Sequence, residues 1–168
     1  MYLINVQRFH RHQSIFKEGD PIDNIYLIHK GEVQIMMDVY QPPIKNKLGI
    51  KVNQPNKSIN LEISGFNSCI GHDDILLGKQ YRTYSAIALN DRTLVYKLPY
   101  AILPKVMKYI KNCLPGLLTN CVQKINFRKI RLEEFGEPLS QLTIPIEYNW
   151  DTYTTIATKD DESKNHTF

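Results

Sequence analysis

The sequence has no long uninterrupted apolar segment, and this absence excludes several classes of protein. None of its hydrophobic runs approaches the roughly 20 residues that span a bilayer as a helix. The first residues, MYLINVQRFHRHQ, contain neither the apolar core nor the small-residue cleavage site of a secretory signal peptide. We therefore expect an intracellular, cytoplasmic protein with no membrane span.

Cysteine is also scarce, and its spacing excludes a zinc site. The chain has three cysteines, Cys69, Cys113 and Cys121. Their number is odd, and none forms the close pair that a structural zinc site uses. His10, His12 and His72 follow no metal-ligand spacing either. We expect structural thiols in a reducing compartment and no bound metal.

Motifs of catalysis are absent. The sequence contains no nucleophile–base motif, no phosphate-binding P-loop and no supported pair of catalytic carboxylates. Its 168 residues fit one domain, and 42% hydrophobic and 23% charged residues are ordinary for a globular protein with a buried core. We expect a protein that is not an enzyme.

The positive charge is concentrated in one region. The formal net charge is +4, but the segment from Arg92 to Leu132 holds nine Lys or Arg residues and no Asp or Glu. Such a region either contacts an acidic partner surface through helices at 100–132 or is a solvated face that keeps the chain soluble. Nucleic acid is a weaker option, because no aromatic stacking platform or recognition-helix motif accompanies the charge.

The first hundred residues have the pattern of a small antiparallel β fold. Alternating or continuous apolar runs predict strands at Gln13–Phe16, Asn24–Met37, Ile59–Ile63, Thr83–Leu89 and Thr93–Leu98, with weak strands around Leu48–Val52. Turn residues at Gly19-Asp20-Pro21 and Lys30-Gly31 separate the first of them.

After Pro99 the apolar spacing becomes helical. It predicts helices over about 100–113 and 116–135, separated by Pro115-Gly116 and ended by Gly136. The segment 137–150 has no sustained period but is too apolar for a disordered tail, so we expect it to dock on its own β fold or on another chain. Residues 159–168 are polar and charged, and we expect a solvated end.

Two separated motifs resemble the cyclic nucleotide-binding domain family: Ile15–Gly31, IFKEGDPIDNIYLIHKG, and Ile70–Ala88, IGHDDILLGKQYRTYSAIA. The first supplies turns at Gly19 and Gly31 around a buried strand. The resemblance implies a mainly β fold, an antiparallel jelly-roll-type β-roll followed by two C-terminal helices. The expected organisation is a short lead at 1–12, the roll at 13–98, the helix pair at 99–135 and an extended tail at 136–168.

In the resembled family the second motif is the phosphate-binding cassette, here 70–88. Its glycine lets the backbone approach the cyclic phosphate, its arginine pairs with that phosphate, and a glutamate after the glycine accepts the ribose 2′-hydroxyl. Gly71 and Arg82 stand eleven positions apart, as in the family. The resemblance implies cyclic AMP or cyclic GMP as ligand, with candidate contacts at Gly71, His72, Asp73, Arg82, Thr83 and Tyr84.

This cassette departs from the family at three positions. His72 replaces the glutamate, and we expect it to be a surface or hydrogen-bonded histidine rather than a ligand. Asp74 replaces a small residue and places a negative charge near the phosphate, while Tyr84 replaces an alanine and occupies space that the nucleotide needs. Asp73 is an alternative acceptor for the ribose if the alignment shifts.

Arg82 has two interpretations. It contacts a phosphate, or it pairs internally with Asp73 or Asp74 and closes the pocket from inside. The sequence alone leaves both open.

Two functions follow from these observations. The first is a non-enzymatic structural or interaction subunit of a larger intracellular assembly, with weak or no nucleotide binding and an acidic cytoskeletal or ciliary partner. The second is a cyclic AMP- or cyclic GMP-responsive regulatory module acting on a separate effector, since only about a dozen residues precede Gln13 and no effector segment is attached.

Overall fold

The computed structural model describes residues 5–102 and 114–136, which form two four-stranded sheets, a small hairpin and a C-terminal helix. The strands are β1 (Asn5–Phe9), β2 (Ser14–Phe16), β3 (Asn24–Lys30), β4 (Val33–Val39), β5 (Ile44–Lys45), β6 (Lys51–Val52), β7 (Lys57–Ser64), β8 (Cys69–Ile70), β9 (Ser85–Ala88) and β10 (Thr93–Pro99). The helical elements are α1 (Asp73–Leu76), a 3₁₀ turn at Tyr100–Ile102 and α2 (Leu114–Glu134).

All strand pairs are antiparallel, and the chain passes back and forth between the two sheets. One sheet has the order β1-β10-β3-β8, and the other has the order β2-β9-β4-β7. Between them they enclose the core of an antiparallel β-roll that ends in a helix. The predicted fold class is confirmed by this topology and by structures that share it.

Alternation along β4 explains how the core forms. Val33, Ile35 and Met37 point inwards and are at most 3% exposed, whereas Gln34 and Asp38 lie on the outer side. Branched side chains suit a strand because they pack against neighbours on the pleated surface. Burying one such side chain contributes roughly 1.5–3 kcal/mol, so this face of β4 stabilises the roll strongly.

The structure adds a strand that the sequence did not predict. β1 lies inside the segment 1–12 that the pattern assigned to a short lead, and it pairs with β10 from Asn5↔Lys97 to Phe9↔Thr93. Most of β1 is exposed, which explains the weak pattern, but Phe9 is only 3% exposed and packs into the core. Among the described residues, the sheet therefore begins at Asn5.

The weak strands predicted around Leu48–Val52 are displaced. A hairpin with strands of two residues each pairs Ile44 with Val52 and Lys45 with Lys51, and Leu48 lies in its turn. The side chain of Asn46 accepts hydrogen bonds from the backbone N–H groups of Leu48 and Ile50, at 3.0 Å and 2.9 Å. Such a side-chain-capped turn competes with strand pairing at these residues.

The second predicted helix is present as α2. Its buried side chains Cys121, Ile125 and Leu132 follow helical spacing and belong to the main core cluster. Gly136 has φ +75°, and its N–H donates to the carbonyl of Glu133 at 2.9 Å, so glycine ends the helix as predicted. The part of the chain described here contains no helix long and apolar enough to cross a membrane.

Two predictions fall outside the described residues. The first is most of the first predicted helix, residues 103–113. The second is the tail at 137–168, including the docking segment 137–150 and the solvated end 159–168. Within the described chain, the start of the first helix is the 3₁₀ turn at Tyr100–Ile102.

Candidate functional site

The segment 70–88 folds as strand, short helix and strand around Gly71. β8 ends at Ile70, α1 follows at Asp73–Leu76, and β9 begins at Ser85. Gly71 has φ +78°, and an added Cβ would lie 2.5 Å from Nη1 of Arg82. Glycine is required here for two reasons, since only it adopts this φ easily and only it admits the guanidinium so closely.

Arg82 is directed into the roll and is 2% exposed. Its Nη1 donates a hydrogen bond to the carbonyl of Gly71 at 2.6 Å, and its Nη2 donates to the carbonyl of Asn24. The guanidinium also lies 4.4 Å from the ring centroid of Phe16, at a distance typical of cation–π contacts. The positive charge of this side chain is therefore engaged by groups of the protein itself.

Asp74 is the acid that faces Arg82. Its Oδ2 lies 3.7 Å from Nη1 of Arg82, while its Oδ1 accepts hydrogen bonds from the hydroxyl of Thr83 at 2.5 Å and from the Thr83 N–H at 3.3 Å. Burial raises the pKa of Asp74 to about 6, and the neighbouring charge of Asp73 adds to that rise. The ion pair with Arg82 and the Thr83 hydrogen bonds only partly oppose it.

Asp73 lies in a different environment although it is the preceding residue. The hydroxyl of Tyr84 donates to its Oδ1 at 2.5 Å, and Nη1 of Arg128 donates to its Oδ2. Burial on its own would raise the pKa of Asp73, but the Arg128 charge, His72 and these hydrogen bonds hold it well below its usual range. The pKa values of the adjacent carboxyl groups of Asp73 and Asp74 are thus shifted in opposite directions.

Tyr84 fills the interior beside the cassette and is fully buried. Its hydroxyl oxygen accepts a hydrogen bond from the Gly71 N–H at 2.9 Å, and its ring packs edge-on against Phe16 at 5.4 Å. The guanidinium of Arg128 lies 4.5 Å from the ring centroid on another side. Burial and the charge of Asp73 raise the pKa of Tyr84 well above its usual value, so the hydroxyl stays protonated.

Arg128 is a site residue that the sequence analysis missed. It projects from α2, is 1% exposed, and its Nε donates to Oε2 of Glu62 at 3.0 Å while its Nη1 binds Asp73. Burial alone would raise the pKa of Glu62, but Arg128 and Lys124 lower it. Its position on the same helical stripe as Ile125 and Leu132 is a sequence signal of burial. Its charge and its basic neighbours instead indicate a surface position.

His72 is buried rather than at the surface, with 7% exposure. Within the described chain its Nδ1 has no hydrogen-bond partner. Burial lowers the pKa of His72 below its usual value of about 6.5, although Asp73 opposes this, so the imidazole is neutral at pH 7. Of the two expected environments, surface or hydrogen-bonded, the surface one is wrong, because the side chain is buried.

The two described cysteines are also shielded. Burial raises the pKa of Cys69 and of Cys121 to about 12, and nearby Asp73 adds to both shifts. Both thiols stay protonated and are poor nucleophiles. Across residues 5–102 and 114–136, no group of three His, Cys, Asp or Glu side chains is arranged to hold a metal ion.

Comparison with known proteins shows the family. The sequence model of the cyclic nucleotide-binding domain family matches residues 6–109, which is more than half of the chain. A search of curated protein sequences gave no match.

Solved structures share the fold at low sequence identity. The c-di-GMP-responsive global regulator CLP of Xanthomonas campestris has a TM-score of 0.56 at 14% identity, over 79% of this chain and 57% of that one. A transcriptional regulator from Thermotoga maritima has a TM-score of 0.56 at 13% identity, over 79% and 90%. A cyclic nucleotide-binding domain from Methylobacillus flagellatus has a TM-score of 0.53 at 20% identity, over 79% and 66%.

These identities establish the fold and nothing finer. The chain spans a little more than half of the Xanthomonas regulator, so the activity of that whole protein does not transfer. The family match, the two-sheet roll and the strand–helix–strand segment at 70–88 agree with one another. This chain belongs to the cyclic nucleotide-binding domain family.

Proposed function

We propose that this chain is a non-enzymatic member of its family that serves as a structural or interaction subunit and binds cyclic nucleotides weakly or not at all. The observation that carries the proposal is the engagement of Arg82 by the carbonyls of Gly71 and Asn24 and by Asp74, with 2% of the residue exposed. An arginine recognises a phosphate through N–H donors that point at the anion. In this protein Nη1 and Nη2 of Arg82 already donate hydrogen bonds to backbone carbonyls.

Releasing Arg82 for a ligand would leave buried groups without partners. The carbonyls of Gly71 and Asn24 would each lose a charge-assisted hydrogen bond, and Asp74 would lose its nearest cation. An unsatisfied buried group costs about 1–3 kcal/mol, and a weakening of about 3 kcal/mol corresponds to a roughly 100-fold rise in Kd. The carboxyl of Asp74 would also lie close to the incoming phosphate.

The space beside the cassette supports the same conclusion. Tyr84 and Arg128 pack against each other there, and both are at most 1% exposed. In the family the last helix closes over the bound nucleotide, whereas here Arg128 already attaches α2 to Asp73 and Glu62. Closure of α2 on the cassette therefore needs no ligand.

One observation favours the alternative, a regulatory module that responds to cyclic AMP or cyclic GMP. Nε of Arg82, Nη2 of Arg128 and Nδ1 of His72 are buried around the cassette and have no hydrogen-bond partner among the described residues. Buried polar atoms usually find partners, and oxygen atoms of a nucleotide are candidates. A regulator of this fold is described as responsive to c-di-GMP, which adds that ligand to the test.

The proposed partners are other protein subunits, with an acidic surface contacting the basic segment at 100–132. The charge of that segment supports this, although Arg128 contributes to the interior rather than to the surface. The basic charge of the segment supports extending the proposal to an acidic surface of a cytoskeletal or ciliary assembly.

Calorimetric titration tests the proposal directly. Cyclic AMP, cyclic GMP and c-di-GMP are titrated into the wild type and into Arg82→Ala, with circular dichroism as a check that each protein is folded. We expect no binding tighter than about 10 μM for any of the three. Tighter binding to the wild type overturns the proposal, and its loss in a folded Arg82→Ala protein establishes the regulatory alternative.

A further inference from the structure

The hairpin of β5 and β6 stands apart from the core of the roll. The chain enters it after β4 and leaves it before β7, and its two strands form a separate sheet. Every residue from 42 to 53 is exposed, and the buried core cluster of the described chain includes none of them. The hairpin is therefore accessible to another surface.

Large aliphatic side chains lie in and around the tip of this hairpin. Leu48, in the turn, is 82% exposed, and Ile44, Ile50 and Val52 are 45–58% exposed. Ile44 and Val52 are direct partners in the strand register, so their side chains share one face. Water contact at four such side chains is unfavourable, and a cluster of exposed apolar side chains marks an interaction site.

Hydrogen bonds within the turn fix the shape of the tip. Besides the bonds that the Asn46 side chain accepts, the Asn46 N–H donates to the carbonyl of Ile50 at 2.9 Å. The N–H of Gly49, which has φ +75°, donates to the carbonyl of Asn46 at 2.9 Å. Because these bonds already order the backbone, little conformational entropy is lost when the tip binds.

The charged residues of the hairpin all have one sign. Residues 39–61 contain four lysines and no Asp or Glu. Lys45 and Lys51 are the neighbouring register pair to the apolar one, so their side chains lie on the opposite face. The nearest acids along the chain, Asp38 and Glu62, belong to β4 and β7. One face of the hairpin is thus apolar and the other is cationic.

We propose that this hairpin binds an anionic lipid surface, with Leu48 and Ile50 inserted among the lipids and the lysines at the headgroups. Apolar side chains at such a surface transfer favourably out of water, while long lysine side chains reach back to the charged headgroups. Tyr40, which is 70% exposed between β4 and β5, has an apolar ring and a polar hydroxyl, a combination that suits this boundary.

The chemistry of the hairpin favours lipid over protein as the partner. Protein–protein interfaces are enriched in arginine and depleted in lysine, whereas residues 39–61 contain four lysines and no arginine. The side chains that anchor protein interfaces are mainly Trp, Tyr and Arg in pockets, whereas the tip presents Leu48 and Ile50 on a turn. Each lysine near an anionic leaflet contributes roughly fivefold to binding, so charge and apolar insertion act together.

Vesicle sedimentation with the full chain tests this inference. The vesicles are phosphatidylcholine alone, or phosphatidylcholine and phosphatidylserine at about 7:3, and we expect binding only to the second. Leu48→Gln with Ile50→Gln should weaken binding at least about tenfold, because insertion is lost while the charge is unchanged. Lys45→Gln with Lys51→Gln should weaken it by a similar factor, at least about tenfold, through charge alone.

Exposed residues outside the hairpin provide matched controls. Phe66→Gln removes an apolar side chain that is 65% exposed in the turn after β7. Lys17→Gln with Lys30→Gln removes two exposed lysines. Both control proteins should bind the vesicles as the wild type does, and circular dichroism confirms that every variant is folded.

Four outcomes overturn the inference. The first is no binding to the phosphatidylserine vesicles, or binding that the control changes weaken equally. The second is binding that survives Leu48→Gln with Ile50→Gln, which means that the tip does not insert. The third is equally tight binding to poly-glutamate, which means that the partner is an acidic protein. The fourth is self-association in light scattering that the same two changes remove, which means that a second copy covers the tip.

Discussion

Arg128 of α2 and Asp73 of α1 form a buried ion pair between residues 55 positions apart in the chain. Their side chains are 1% and 2% exposed. The same guanidinium binds Glu62 of β7 at 3.0 Å, so one side chain connects the last described helix, an edge strand and the cassette. Arg128 therefore adds a charged connection to the attachment that Cys121, Ile125 and Leu132 make through the core and Lys124 makes through hydrogen bonds.

Arg128→Met should destabilise the protein strongly. Methionine keeps the apolar stem but leaves the buried carboxylate of Asp73 without its cation, which typically costs about 3–5 kcal/mol, while Glu62 keeps Lys124 as a cation, at 3.6 Å. Urea unfolding measures the loss. Lys129→Met is the matched control, since Lys129 is the next residue on the same helix and is half-buried rather than fully buried.

A double-mutant cycle with Asp73→Asn then isolates the pair. We expect a coupling free energy of at least about 1 kcal/mol between Arg128 and Asp73. Equal effects of Arg128→Met and Lys129→Met would contradict the structural role of this ion pair.

Tyr84→Phe should destabilise the protein by about 1–3 kcal/mol. The change removes the hydroxyl that accepts from the Gly71 N–H and donates to Asp73, and it leaves both groups buried. Tyr81→Phe is the control because Tyr81 is 59% exposed. Thermal unfolding of both variants measures the difference, and identical midpoints would show that the hydroxyl contributes nothing.

Gly71→Ala should be more destabilising than Gly78→Ala. Both glycines have positive φ, +78° and +64°, so both changes introduce backbone strain of about 1 kcal/mol. Only at Gly71 would the new methyl group also meet Arg82, at 2.5 Å from Nη1, whereas nothing lies within 4 Å at Gly78. Denaturant unfolding should show an extra loss of at least about 1 kcal/mol at Gly71. Equal losses would mean that Arg82 moves aside at no cost.

Asp74→Asn should change how stability depends on pH. The pKa of Asp74 is raised to about 6 in the folded protein, against about 3.9 in an unfolded chain. The folded state therefore binds this proton more tightly, so the contribution of Asp74 is fully present below about pH 4 and is lost as the pH rises through about 6.

Urea unfolding at pH 4, 5, 6 and 7 checks this shift. Relative to Asp74→Asn, the wild type should lose on the order of 1–3 kcal/mol between pH 4 and pH 7. Parallel pH profiles for the two proteins would show that Asp74 titrates normally.

Much of the roll could be predicted because its determinants are local. The alternation of Val33, Ile35 and Met37 defines a half-buried strand, and Gly31 is needed at a turn with φ +90°. The cassette at 70–88 was located by resemblance to the family, through the spacing of Gly71 and Arg82. β1 was not predicted because most of its residues are exposed and only Phe9 contributes to the core.

Most of the strands and the end of α2 at Gly136 follow from the sequence pattern, because turn conformation and apolar alternation act between near neighbours in the chain. The roll topology and the place of the cassette followed from the resemblance of two motifs to the family. Three features required the three-dimensional structure: Arg82 binds internal carbonyls, Arg128 reaches Asp73, and the pKa values of Asp73 and Asp74 are shifted in opposite directions. Those outcomes depend on burial and on which distant charges meet, and desolvation and Coulomb interactions are properties of position in space rather than of sequence order.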